Sequence, residues 1–244
     1  MDKSLFISMN GAYNSMRQLE IITNNLANVN TTAFRADSTF IRAHEVNSGG
    51  QQSRVYSRLD KTYTNFKQGN IFNTDRDLDV AINGDGFIAV QSKSGREGYT
   101  RAGSLQIRNG ILTTQTGEIV MGNGGPINIP PAEKISISPD GTVTARFIGE
   151  TEFVPVDKIK LTNPKVAELQ KGTDTLFYLN GNGTAPYDPN VTVISGGLEG
   201  SNVSAIETMT QLIELTRQYQ IHTNFMKTIA DDTAKINQVL ELGR

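Results

Sequence analysis

The chain has 244 residues, enough for one or two domains and for a buried core in its middle section. Lys plus Arg is 23 against 25 for Asp plus Glu, a formal net charge of −2, so there is no basic field for nucleic acid or acidic lipid, and nucleic acid is not an expected partner. The absence of cysteine excludes disulfides, thiolate metal sites and a cysteine nucleophile, and leaves both reducing and oxidising compartments open.

The opening residues lack a basic start followed by an unbroken apolar run, so no Sec-type leader is expected. No run of about 18 apolar residues occurs, so direct membrane insertion is not expected either. Leu5, Met9, Ala12, Met16, Leu19, Thr23 and Leu26 are spaced alternately four and three apart, the seam of a helix that packs lengthwise on other helices. The helix is expected over residues 4–28. It ends where Asn28, Val29, Asn30, Thr31 and Thr32 combine β-branching with side chains that compete for backbone hydrogen bonds.

Residues 31–73 carry scattered aromatics and a flexible centre at Ser48-Gly49-Gly50-Gln51-Gln52-Ser53, and are expected to form an extended connector, partly ordered only on assembly. From 74 to 197 the period becomes two, as in Ile127-Asn128-Ile129 and Ile135-Ser136-Ile137. Turn dipeptides Asn83-Gly84, Asp85-Gly86, Asn109-Gly110, Asp140-Gly141 and Asn180-Gly181 mark a compact, mostly antiparallel β domain. Residues 198–244 bring a second long helix, opened by a Ser204/Glu207 capping box. Its seam is Leu212, Leu215, Tyr219, His222, Met226, Ile229, Thr233, Ile236 and Leu240. The fold class is therefore α+β, with long coiled-coil helices at residues 1–30 and 198–244 flanking the β domain. Neither helix has a sequence-adjacent partner, so other subunits are expected to cover both seams. An intramolecular helical hairpin is the alternative.

Four segments resemble the flagellar rod and hook family of bacteria. Asn24-Asn25-Leu26-Ala27-Asn28-Val29-Asn30-Thr31-Thr32-Ala33-Phe34-Arg35 is similar to the family's amino-terminal motif, and Asp77-Leu78-Asp79-Val80-Ala81-Ile82-Asn83-Gly84-Asp85-Gly86-Phe87 to its second. Tyr99-Thr100-Arg101-Ala102-Gly103-Ser104-Leu105 is similar to the third. Leu198-Glu199-Gly200-Ser201-Asn202-Val203, leading into a helix with Arg217 and Tyr219, is similar to the last. Phe40-Ile41-Arg42-Ala43 stands where distal-rod members carry a DLLYQ-like insertion. The Met1-Asp2 start and Gly98-Tyr99-Thr100-Arg101 resemble proximal-rod members.

The resemblance implies a structural subunit, not an enzyme and without cofactor. Such a subunit is exported by the flagellar type III apparatus without a cleaved leader and resides in the periplasmic rod of the basal body. It implies polymerisation with itself and with other rod proteins, the proximal FlgB and FlgC and the distal FlgG, in a torque-transmitting shaft. The interface implied comprises Leu5, Met9, Ala12, Met16, Leu19, Asn24, Asn25, Leu26, Asn28, Phe34, Asn202, Leu212, Leu215, Tyr219, Met226, Ile229, Ile236 and Leu240. Two positions depart from the family. Ala33 replaces a glycine and disfavours a left-handed backbone, which implies a different exit angle from the first helix, and Arg76 stands where a small residue is usual.

Other chemistry fares worse. His44 and His222 have no metal-ligand spacing, and His222 fits a polar seam position. Asp75, Asp77 and Asp79 could hold calcium or serve glycosidic chemistry, while the resemblance makes Asp79 a turn or cap residue. Gly122-Asn123-Gly124-Gly125 precedes Pro126 rather than a helix, which suits a turn and not a phosphate cradle. Asn24 and Asn28, four apart, could fix register between subunits or merely solvate a helix end. The competing function is a secreted β-domain glycan binder or hydrolase held in an oligomer by its terminal helices.

Overall fold

The amino-terminal periodicity becomes helix α1, Lys3–Ala27, in the computed structural model, which describes residues 3–48, 51–181 and 183–242. Only three of its 25 residues, Lys3, Arg17 and Glu20, are charged. The last turn closes through Asn28, whose Nδ2 donates to the Asn24 carbonyl at 2.9 Å and whose N–H reaches the same oxygen at 3.2 Å. The polar run after the helix thus acts as a C-terminal cap. Met1 and Asp2, part of the proximal-rod resemblance, lie outside the described residues.

The chain forms two units, Met1–Val29 with Ala36–Asn65 and Val203–Arg244, and Asn30–Arg35 with Phe66–Asn202. In the first, α1 is joined by β1 (Asp37–Ser48), β2 (Gln51–Thr64) and, at the far end of the chain, α2 (Ala205–Leu242). Ser204 caps α2: the Glu207 N–H donates to its Oγ at 3.4 Å and the Thr208 N–H to its carbonyl at 2.9 Å. The two helices run antiparallel. Gly11 lies against the His222 ring, and Gln18 and Ile22 share a groove with Gln211 and Leu215. Part of the intramolecular pairing held open as the alternative is thus present: α1 and α2, far apart in sequence, cover part of one another.

The segment expected as an extended connector is a second difference. β1 and β2 pair antiparallel over their whole length, with register shifts at Phe40/Ile41 and Val46/Asn47. Gly49 and Gly50, expected as a flexible centre, lie outside the described residues. An isolated two-stranded ribbon is marginal in water, and α1 supports this one. Asn14 Nδ2 donates to the carbonyl and Oγ of Ser57 at 2.7 and 2.6 Å. Asn25 makes a reciprocal pair with the Asp37 backbone, donating to its carbonyl at 2.7 Å and accepting from its N–H at 2.9 Å.

The second unit is the β domain. It contains β3 (Ile71–Asn73), β4 (Val80–Asn83), β5 (Phe87–Gln91), β6 (Glu97–Thr100), β7 (Leu105–Arg108), β8 (Ile111–Thr114) and β9 (Ile119–Gly122). These are followed by β10 (Gly125–Pro126), β11 (Ala132–Ile137), β12 (Thr142–Phe147), β13 (Val154–Lys158) and β14 (Leu161–Thr162). Last come β15 (Leu169–Lys171), β16 (Phe177–Leu179), β17 (Thr192–Ser195) and β18 (Gly197–Glu199). The main sheet has the order β15-β16-β6-β5-β9-β8-β7, with β10 on β9 and β14 on β5. A three-stranded sheet β11-β12-β13 and the pairs β17-β4 and β18-β3 complete the unit, and every pairing is antiparallel.

Asn109-Gly110, both at positive φ, forms the two-residue turn that joins β7 to β8. The Gly122–Gly125 run is the β9–β10 turn, as expected. Val80, Ile82, Ile88, Leu105, Leu112 and Ile127 are fully buried in the main core, each contributing about 1.5–3 kcal/mol by leaving water. A second cluster stacks Phe66, Phe87 and Phe177 with ring centroids 5.1–6.2 Å apart.

Candidate assembly surface and junction cluster

On α1 the face toward α2 is made of small residues. Ser8, Ala12 and Ser15 are buried, and Gly11 admits the His222 ring, to which an added Cβ would come within 2.5 Å. Small side chains let the helices approach closely, and the longer residues are then turned elsewhere. Met9 is 53 % exposed and Met16 42 %, joined by Phe6 and Tyr13 at the same three-and-four spacing. The predicted seam is therefore divided: Ala12 is buried, Leu5, Leu19 and Leu26 are half-buried, and Met9 and Met16 face outward.

On α2, Leu212, Leu215, Tyr219, His222, Met226 and Ile229 are half-buried, so this stretch of seam is occupied in part within the chain. A separate row, Ile206, Met209, Ile213, Ile221 and Phe225, is exposed, and Ile236 is exposed farther along. The side chain of Leu240 lies outside the described residues. Open grooves of about 350 and 460 Å³ remain beside the helices within this unit, the first along Ile21, Ile22 and Leu215, the second along Ile7, Ile41 and Val55. Its apolar surface is incompletely covered.

All four sequence motifs meet in the β unit at one buried carboxylate, three of them directly and the second through the Gly84 and Gly86 carbonyls. Glu199 Oε1 accepts from Arg35 Nη2 at 2.6 Å, and Oε2 accepts from Arg101 Nε at 2.8 Å. The side chains of Arg35 and Glu199 are fully buried and that of Arg101 nearly so. Arg101 Nη1 and Nη2 also donate to the Gly86 and Gly84 carbonyls, at 2.9 and 2.8 Å. Burial pushes the Arg35 guanidinium below its ordinary value, and Glu199 beside it opposes that shift.

Phe34 is 5 % exposed, with Lys171 Nζ 4.2 Å above its ring and the same ammonium donating to the Arg35 carbonyl at 2.8 Å. Phe34 is thus committed to the interior of the β unit. Asn202 donates through its N–H to the Phe34 carbonyl at 3.2 Å and through Nδ2 to the Lys67 carbonyl at 3.0 Å. Of the asparagines, Asn24 and Asn28 close the helix end, whereas Asn25 anchors the ribbon.

Sequence reasoning missed Arg35, Arg101 and Glu199 as a group. Each sits inside a quoted motif, but nothing in their spacing shows that they converge. Asn10 and Asn14 were also missed; their i, i+4 spacing on α1 was the available signal, and both bond Ser57. Ala33 keeps the left-handed backbone, φ 57°, despite its methyl group, and its N–H donates to the Glu199 carbonyl at 2.8 Å. The methyl group of Ala33 therefore does not exclude the left-handed conformation that it was expected to disfavour. Arg76 bridges Asp79, at 3.3 Å, and the Leu105 carbonyl, at 2.6 Å, while Asp79 itself closes a turn by donating its N–H to the Arg76 carbonyl. Asp77 faces Lys134 at 3.6 Å. Among the described residues no group of three His, Cys, Asp or Glu side chains could hold a metal ion.

These landmarks coincide with known proteins. Residues 5–35 match the family described as flagella basal body rod protein, 81–145 the flagellar hook protein FlgE/F/G D1 domain, and 194–239 the flagellar basal body rod FlgEFG protein C-terminal region. Arg35, Arg101 and Glu199 fall one in each segment. The flagellar basal-body rod protein FlgF of Escherichia coli K12 is 34 % identical over 252 aligned positions, covering 100 % of both chains. FlgF of Caulobacter vibrioides is 33 % identical over 100 % of this chain and 99 % of its own, and the rod protein FlgG of Agrobacterium fabrum is 31 % identical over 96 % and 97 %. With both terminal helices, the β domain and the junction cluster inside full-length matches, the chain belongs to the FlgF family of flagellar basal-body rod proteins.

Proposed function

We propose that this structural rod subunit joins its neighbours through the outward rows of its terminal helices, Phe6, Met9, Tyr13 and Met16 on α1 and Ile206, Met209, Ile213, Ile221 and Phe225 on α2. The carrying observation is that a helix with three charged residues in 25 leaves large apolar side chains open on the face away from its intramolecular partner. An exposed row of large apolar side chains on a second face of a helix marks a site for a further partner. Full burial of such a side chain is worth about 1.5–3 kcal/mol, and covering the exposed part of each gains a corresponding share of it. The half-buried Leu5, Leu19, Leu26, Leu212, Leu215, Tyr219, Met226 and Ile229 then hold the two helices in the arrangement that presents those rows.

Neighbours in this reading are further copies and other rod proteins, the proximal FlgB and FlgC and the distal FlgG. The type III apparatus delivers the chain, and the shaft so formed carries torque. Asn24, on the exposed end of α1, is a polar contact that sets register. A swimming assay in a strain lacking its own subunit tests the assignment. The wild-type chain should restore motility, Met9→Asp and Ile213→Asp should produce folded monomer without motility, and recovery of swimming by either aspartate variant would sink the outward-row interface.

A further inference from the structure

The chain crosses between its two units four times, at 29/30, 35/36, 65/66 and 202/203. Within the β unit, the segments that begin or end at these crossings are all fastened around Glu199. The Ala33 N–H donates to its carbonyl at 2.8 Å, Arg35 Nη2 to Oε1 at 2.6 Å, and the Gly69 N–H to the same oxygen at 2.9 Å. Gly69 and Gly200 lie so close that a Cβ on Gly69 would stand 2.2 Å from the Gly200 carbonyl oxygen, and the Gly200 N–H donates to the Asn70 carbonyl at 2.8 Å. Asn202 completes the set by binding the Phe34 and Lys67 carbonyls. Arg101 then ties the cluster to the Gly84–Gly86 turn of the sheet.

An exposed ion pair would hold such a junction weakly. Here the carboxylate and both guanidiniums are buried, so withdrawing one partner strands a charge in a medium that does not solvate it. Hydrogen bonds loaded one after another break in sequence, whereas bonds gathered at one point share a load.

We propose that Glu199 is the positioning residue of an exit knot. It gathers the four crossings so that force on the helical unit enters the β unit at one cross-linked point instead of peeling its edge segments singly. The mechanical role rests on the rod reading; the knot itself does not.

Amide hydrogen exchange on the full chain, wild type against Glu199→Gln, tests it. The Ala33, Gly69, Gly200 and Asn202 amides should accelerate together, about tenfold or more, while the sheet amides of Ala89, Leu112 and Ile127 keep their rates. Acceleration of one of the four alone, or of the sheet amides to the same degree, would overturn the knot, since the first means a local pair and the second a general loss of stability. Should Glu199→Gln not fold, Arg35→Gln, which leaves the Glu199–Arg101 pair in place, is read the same way. Faster exchange at Ala33 and Asn202 supports the knot, and unchanged exchange overturns it.

In cells, a Glu199→Gln subunit should swim progressively worse than wild type as medium viscosity rises. Swimming with the wild-type dependence on viscosity would overturn the mechanical role. Failure of the wild-type chain to enter a rod would sink the rod reading and leave the exchange result standing.

Discussion

Ala33 is the residue at which sequence and backbone disagree most directly. A left-handed conformation costs a non-glycine residue roughly 1–2 kcal/mol, and the structure keeps that conformation because the Ala33 N–H and the adjoining Phe34 and Arg35 are all engaged by the β unit. Glycine would remove the strain and give back part of the gain as greater freedom of the unfolded chain. Ala33→Gly should therefore stabilise the protein by about 0.5–1 kcal/mol, seen as a higher urea midpoint with an unchanged slope. Gly103 is the opposite case. A Cβ there would lie 1.7 Å from the Val80 carbonyl oxygen, a backbone atom held by the β4–β17 pairing and unable to step aside. Gly103→Ala should cost about 3 kcal/mol or more; a midpoint within experimental error of wild type would refute the close approach. The motif around Gly103 was readable from the chain, but its cause, two backbones in contact, is a tertiary fact.

At the scale of elements, both helices were legible because their apolar positions repeat with helical spacing and their ends carry capping residues. Their partners were not legible. A three-and-four repeat fixes a helix and an apolar stripe without saying what covers it, and of the small residues that let α2 approach only Ala12 belongs to the predicted seam, since Ser8, Gly11 and Ser15 do not register as hydrophobic. The β1–β2 ribbon escaped for a related reason. Exposed polar and apolar residues are mixed on its two faces, so no clean alternation marks it, and its support comes from Asn14 and Asn25 on a distant helix. The helix pair makes two contrasting predictions. Gly11→Leu should drive a side chain into the His222 ring and lower the stability of the helical unit, measurable as lost helical ellipticity on mild heating. Met9→Asp, on the outward row, should leave monomer stability within about 0.5 kcal/mol while abolishing assembly. The reverse pattern would exchange the inner and outer faces assigned here.

At the scale of the whole molecule, the two units differ in how completely they cover their apolar residues. The β unit contains the fully buried core, whereas the helical unit leaves long apolar rows and grooves open. The β unit also responds to alkali. Burial raises Tyr99 to about 12, with the neighbouring Glu97 adding to the shift. An acid whose folded value lies above its unfolded one, ordinarily about 10, contributes stability that is intact below pH 10 and lost as pH rises toward 12. Phenylalanine at 99 would remove that dependence, and also the hydrogen bonds to Glu97 and the Ala185 N–H.

Incomplete coverage means that local opening of the helical unit costs less than opening of the sheet. Brief proteolysis of the monomer should therefore cut first within α1, α2 or the ribbon and leave residues 66–202 resistant. One consequence separates this fold from a β domain with loosely attached arms. Residues 30–35 belong to the β unit and are held there by Glu199, Lys171 and Asn202. A cut within the ribbon should consequently leave a short peptide ending beyond Arg35 bound to the resistant fragment through gel filtration in native buffer and released from it in denaturant. Free elution of that peptide would show that the buried Arg35–Glu199 contact does not outlast the covalent connection. Equal resistance of the helical unit would show that α1 and α2 are complete without neighbours, and would count against assembly through their outward rows.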